Sequence, residues 1–174
     1  MAKWKIDIAH SEVHFKVKHL VISTVTGSFN EFSGEIESEK DDFSDAKASF
    51  VAQINSIDTN NAQRDGHLKS DDFFAADKFP TLNFNSTSFE KKGSDYVLKG
   101  DLTIKGTTKN VELNVEFGGI AKDPYGQIKA GFEITGKINR KDFGLTWSAL
   151  TEAGGLVVGD EVKLVLSVQF VKQV

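Results

Sequence analysis

Few side chains in this sequence can do chemistry, so each is worth locating. The chain of 174 residues has four histidines, two arginines and no cysteine. The missing thiol removes disulfides, thiolate metal sites and thiol nucleophiles together. His10, His14 and His19 lie close in sequence and invite a metal reading. On an extended strand His10 and His14 share a face but stand ~13 Å apart at ~3.3 Å per residue. His19 points to the opposite face from His14. One ion could not be held unless the chain folded back at Ser11, so no metal site is expected. Gly154-Gly155-Leu156-Val157-Val158-Gly159 is glycine-rich but lacks dinucleotide-loop spacing, and no nucleophile elbow or P-loop occurs. No catalytic residue is assigned.

The arginines say more. Nineteen lysines are scattered among acidic residues, whereas arginine occurs only as Arg64, beside Asp65, and as Arg140, two before Asp142. A planar guanidinium fork matches a phosphate or carboxylate in a way an ammonium does not. Two readings stand: each arginine pairs with its aspartate and fastens the local chain, or it faces a ligand head group. On the second reading the head-group candidates are His19 (inward by strand parity), Arg64, Asp65, His67, Arg140 and Asp142.

The elements that must carry these residues are mostly strands. Val13, Phe15, Val17 and His19 alternate with Glu12, His14, Lys16 and Lys18, a period of two with one wet face. Similar runs start near Trp4, Val25, Phe32, Ala46, Leu82, Tyr96, Val111, Ile128 and Val162. The apolar parity slips at Asn30-Glu31, which predicts a bulge or bend. Short turns join most runs. The exception is a helical insert around residues 59–76, with Ala62 to Lys69 as its helix, a cap expected in Asp58-Thr59-Asn60, and an aromatic tail of Phe73, Phe74 and Phe79. A second break, Arg140 to Asp160, carries Phe143, Leu145, Trp147 and Leu150.

The fold expected is mainly β: an eight-stranded antiparallel barrel over residues 1–174 as a single domain, with a two-sheet sandwich as the alternative. Net charge of −4 with dispersed lysines argues against nucleic acid. No apolar run approaches the ~18 residues of a membrane helix. Met1-Ala2-Lys3 runs directly into strand pattern, so the chain as written reads as cytoplasmic, or periplasmic if a leader was removed. Ala46, Ala48, Ala52, Gly27, Gly100, Ala130 and Gly136 fall on apolar faces, where small residues leave volume or fit a taper. If they leave volume, the tail of a hydrophobic ligand runs along Val13, Phe15, Val17, Ala48, Phe50, Ala52, Phe84, Leu102, Ile104, Leu113, Val115, Ala130, Phe132 and Ile134. Strands of this length give a tunnel on the order of 25 Å.

The chain resembles the YceI-like family of lipocalin-like bacterial proteins over nearly its whole length. The resemblance is carried by Asp7-Ile8-Ala9-His10-Ser11, Val13 to Leu20, Gly27-Ser28-Phe29, Arg64-Asp65-Gly66-His67-Leu68, Asp72-Phe73-Phe74, Phe79-Pro80, Leu102 to Gly106 and Arg140-Lys141-Asp142-Phe143-Gly144. It implies a lipocalin-like barrel, often a homodimer, whose tunnel binds a polyisoprenoid or other long-chain lipid without a cofactor. An enzyme acting on an isoprenoid or lipid amide, and a filled barrel that recognises a protein, are the competing readings.

Overall fold

Alternation does set the strands. The computed structural model describes residues 2–20, 22–147 and 158–174. Leu150 and most of the glycine-rich run at 154–159 lie outside the described residues. The strands are β1 (Ala2–Ile6), β2 (Glu12–His19), β3 (Ser23–Phe29), β4 (Phe32–Ser38), β5 (Lys47–Gln53) and β6 (Ile57–Asp58). They continue as β7 (Thr81–Lys92), β8 (Asp95–Ile104), β9 (Thr107–Lys122), β10 (Ile128–Asn139) and β11 (Val158–Lys172), with one helix, α1 (Ala62–Lys69), before β7.

Eleven strands make eight staves. β1 and β2 are one strand bent at the 3-10 turn Ile8–His10, and β5 and β6 are one strand bent at Ile54–Ser56. β3 and β4 break at Asn30-Glu31, where the apolar parity slips. β11 closes the ring. Its C-terminal end pairs with β1 (Phe170 opposite Ile6) and its earlier part with β2 (Leu166 opposite Val13), while β10 lies along its other edge. Every pairing is antiparallel, and closure covers the edges that an open sheet would expose.

The two ends differ. α1 and its tail connect β6 to β7, and the 3-10 turn Arg140–Phe143 follows β10. They therefore lie at the end of the barrel where β6 and β10 finish and β7 and β11 begin. At the other end the loop between β4 and β5 sends Phe43 inward, 1% exposed. Its ring lies 5.1–5.4 Å from those of Trp4, Phe117 and Phe132.

The inward glycines do not simply leave volume. A Cβ on Gly27 would overlap the ring tip of Phe15, one on Gly100 the ring tip of Phe84, and one on Gly136 a methyl of Leu113. Each large side chain therefore lies along the wall over a neighbouring glycine instead of projecting to the axis. The Phe79 ring lies over Gly106 in the turn between β8 and β9.

Gly100 and Gly66 should respond oppositely to alanine. At Gly100 the new methyl also meets the Asn85 carbonyl oxygen, which cannot swing aside. We expect Gly100→Ala to cost about 1–3 kcal/mol in urea unfolding. Gly66 sits in α1 with nothing near its would-be Cβ, so Gly66→Ala should add about 0.5–1 kcal/mol.

Candidate functional site

Within the barrel is a cavity of about 230 Å³. Among the described residues of its wall, only His14, Ser49 and Arg140 are polar. Val13, Phe15, Val17, Ala48, Phe50, Phe84, Leu102, Ile104, Leu113, Val115, Phe132 and Ile134 all stand in this wall. Ala52 and Ala130 do not, which corrects their place along a tail. Both are fully buried within the packing. Ala52 lies between Phe32 and Leu82 across its strand pairs, and Ala130 lies between Ile120 and Phe170 towards the Phe43 end. His14, expected on the wet face, is part of the wall while its Nε2 meets Glu12 Oε2 at 3.1 Å. The whole inward face of β11, from Val162 to Phe170, belongs to the wall and was left off the tail residues. Its alternation was the available signal. Along β11 the wall runs from Val158 to Phe170, roughly 30 Å of axial length at ~3.3 Å per residue and ~40° tilt.

The helix end is roofed by Leu68 of α1 with Phe73 and Phe74. α1 starts at Asn61, whose side chain accepts from Arg64 N–H; the cap is one residue later than the Asp58-Thr59-Asn60 cluster. Thr59 is instead buried, and both its N–H and its hydroxyl donate to Asp65 Oδ1. Arg64 donates through Nε to Thr59 Oγ1 at 2.8 Å and through Nη2 to Thr59 O at 2.6 Å. Arg64 and Asp65 thus clamp the helix to β6, and neither reaches the cavity wall. His67 meets Asp72 Oδ2 at 2.9 Å, and its ring stands edge-on to Phe73 and Trp147 at 5.1 and 4.9 Å. It joins the insert to the segment after Arg140, outside the wall. Asp142 is exposed, and His19 is half-buried at the end of β2, also outside the wall.

Arg140 alone of the six candidates lines the cavity, and it makes four hydrogen bonds to backbone carbonyls. It is 3% exposed. Nε donates to Gly159 O at 2.9 Å, Nη1 to Leu145 O at 2.6 Å and Trp147 O at 2.7 Å, and Nη2 to Val158 O at 3.3 Å. Nη2 also stands 3.6 Å from Asp160 Oδ1. Burial lowers the Arg140 pKa from its ordinary value, and the Asp160 carboxylate offsets part of that effect. Of the two readings, this geometry supports the fastening one: the fork holds the start of β11 against the chain leaving β10.

At the other end, the loop carrying Phe43 is tied down by Asp45. Its carboxylate accepts from Ser38 Oγ at 2.6 Å, Glu39 N–H at 2.9 Å and Lys40 N–H at 3.2 Å. These bonds, Ser38 first, hold the Asp45 carboxyl down at about 2 against the smaller opposing effect of burial. Tyr96 OH donates to Asp42 O at 3.0 Å. Phe43 has φ 59°, a left-handed conformation uncommon outside glycine.

Known proteins share this arrangement. A family model described as the YceI-like domain matches residues 4–170. A UPF0312 protein of Staphylococcus aureus (strain MSSA476) is 40% identical over 171 residues, 98% of each chain. The crystal structure of a Campylobacter jejuni YCEI protein is 35% identical with TM-score 0.76, covering 90% of each chain. Burkholderia cenocepacia BcnA has the same fold at 22% identity, with TM-score 0.82 over 94% of this chain and 98% of that one. A polyisoprenoid binding domain from Saccharophagus degradans, implicated in plant cell wall breakdown, is 17% identical with TM-score 0.68 over 98% of each chain.

Arg140→Lys leaves most of those carbonyls without a donor, and should lower stability by about 1.5–3 kcal/mol in chemical unfolding. Asp45 supplies an acid-sensitive tie. A carboxylate whose folded pKa is depressed stabilises fully above its unfolded value and ceases to do so as pH falls through the folded one. The Asp45 contribution is thus complete above about pH 4, the ordinary Asp value, and disappears towards about 2. Asp45→Asn should flatten this part of the acid unfolding curve followed by near-UV circular dichroism.

Proposed function

We propose that this protein, which belongs to the YceI-like family, binds one long-chain amphiphile with its tail in the bore. The chemical class is a polyisoprenoid (polyprenyl phosphate or quinone-like) or a fatty acyl chain. The role is sequestration or transport, without chemistry on the ligand. The observation that carries this reading is a closed barrel whose internal wall, among the described residues, is apolar but for three. An apolar cavity of this kind stays dry, so hydrocarbon entering it displaces no well-bound water. Each Å² of tail removed from water then contributes roughly 25 cal/mol. The polyisoprenoid-binding neighbour from Saccharophagus degradans supports the tail chemistry.

Arg140 makes four hydrogen bonds to backbone carbonyls and faces Asp160, so on this reading a charged head group stays at the end of the bore. Asp65, His67 and Asp142, the side chains that an enzyme reading would use, stand outside the wall, which favours binding over catalysis. A homodimer belongs to the same proposal, and the native mass of the purified protein reads it directly.

The test is native mass spectrometry of protein purified from its own cells, followed by identification of the released molecule. Ala48 lines the cavity beside Phe50, so Ala48→Phe should put a ring into the bore. We expect this variant to fold and to lose at least tenfold in affinity for a long-chain prenol, as about 1.4 kcal/mol of lost tail burial suffices for that factor. Wild-type protein that carries no lipid and takes up none would sink the reading.

A further inference from the structure

Phe43 is the one large wall side chain at the Trp4 end that no strand supplies. It comes from the loop between β4 and β5, with its backbone in the left-handed region. A bulky residue held there needs surroundings that over-determine it, and the loop has them. Asp45 grips Ser38 and two backbone N–H groups, Tyr96 holds Asp42 O, and Phe43 N–H donates to Lys40 O at 3.1 Å. The ring faces the cavity on one side. On the other stand Trp4 and Phe117, which are in contact with Phe43 but absent from the cavity wall. Phe43 thus separates the open bore from the packed end of the barrel.

We propose that Phe43 is the stop against which the ligand tail ends, so that it sets the chain length the protein selects. The inference rests on the tail-binding reading above and adds its specificity-determining residue. On this reading the tail lies along β11, whose wall residues run the length of the bore, with its far end against Phe43. Each methylene buried before the stop adds about fourfold in affinity, the equivalent of roughly 0.8 kcal/mol. A methylene beyond the stop adds nothing, because it must fold back on the chain or remain in water. Affinity against chain length therefore climbs and then levels at a length that Phe43 fixes. The ring's tight seat between Trp4, Phe117 and Phe132 keeps it from rotating away as a flexible gate would.

The experiment measures affinity for two homologous series, straight-chain fatty alcohols and prenols of increasing length, by displacement of a fluorescent alkyl probe. Wild type, Phe43→Leu, Phe43→Ala and Phe43→Trp are compared. The expected result is a plateau displaced to longer chains in Leu and further in Ala, and to shorter chains in Trp. Short chains should keep their wild-type affinity within about twofold, since by the area argument they bury the same surface in each protein. Phe43→Ala removes a buried ring, so Leu and Trp carry the test if Ala does not fold. An unchanged plateau in Leu and Trp, with binding retained, overturns the stop and leaves the tail-binding reading standing. Absence of binding of either series to wild type overturns both.

Discussion

An open bore through a small barrel depends on large apolar side chains finding somewhere to lie other than its axis. Eight staves leave a width that ordinary core residues fill. Here Phe15, Phe84 and Leu113 each lie over a glycine, Gly27, Gly100 and Gly136. A Cβ at those three positions would turn the rings and the leucine inward. The wall is thereby covered with hydrophobic surface and kept thin. Strand glycine is costly in backbone entropy, and the contact it permits is what offsets that cost.

A barrel with space inside has fewer apolar contacts at its centre, and polar ties hold its ends. Arg140 gathers four backbone carbonyls from both sides of the β10–β11 connection. Thr59, gripped by Asp65 and Arg64, fixes α1 to β6. Asp45 holds the loop that carries Phe43. In each case a charged group makes several hydrogen bonds, and such bonds are stronger than neutral ones. Both arginines use the planar fork to reach more than one oxygen at once, which an ammonium cannot do with fixed geometry.

The two ends are built differently. Phe43, Trp4, Phe117 and Phe132 form a packed aromatic cluster at one end. At the other, His67, Phe73 and Trp147 join two separate segments by edge-on and tilted ring contacts. The bore therefore has two unlike ends, a packed aromatic cluster on one side and a roof of loop and helix on the other.

Strand alternation set the staves, the bend at Asn30-Glu31 and most of the wall, because a period of two assigns each side chain to a face before any packing is known. The helix Ala62–Lys69 was legible as the stretch that breaks this alternation beside a capping cluster. It could not tell which inward small residues border space. Ala48 lines the cavity while Ala52 and Ala130 are packed over, and Gly100 is covered by a ring from the neighbouring stave. That distinction depends on where a side chain from another strand comes to rest, which parity does not encode. The arginines were legible as forks but not as to what they hold, since backbone carbonyls carry no residue-type signal. Phe43 was hidden for a related reason: a lone phenylalanine in an acidic loop has no periodicity, and only closure of the barrel brings Trp4, Phe117 and Phe132 around it.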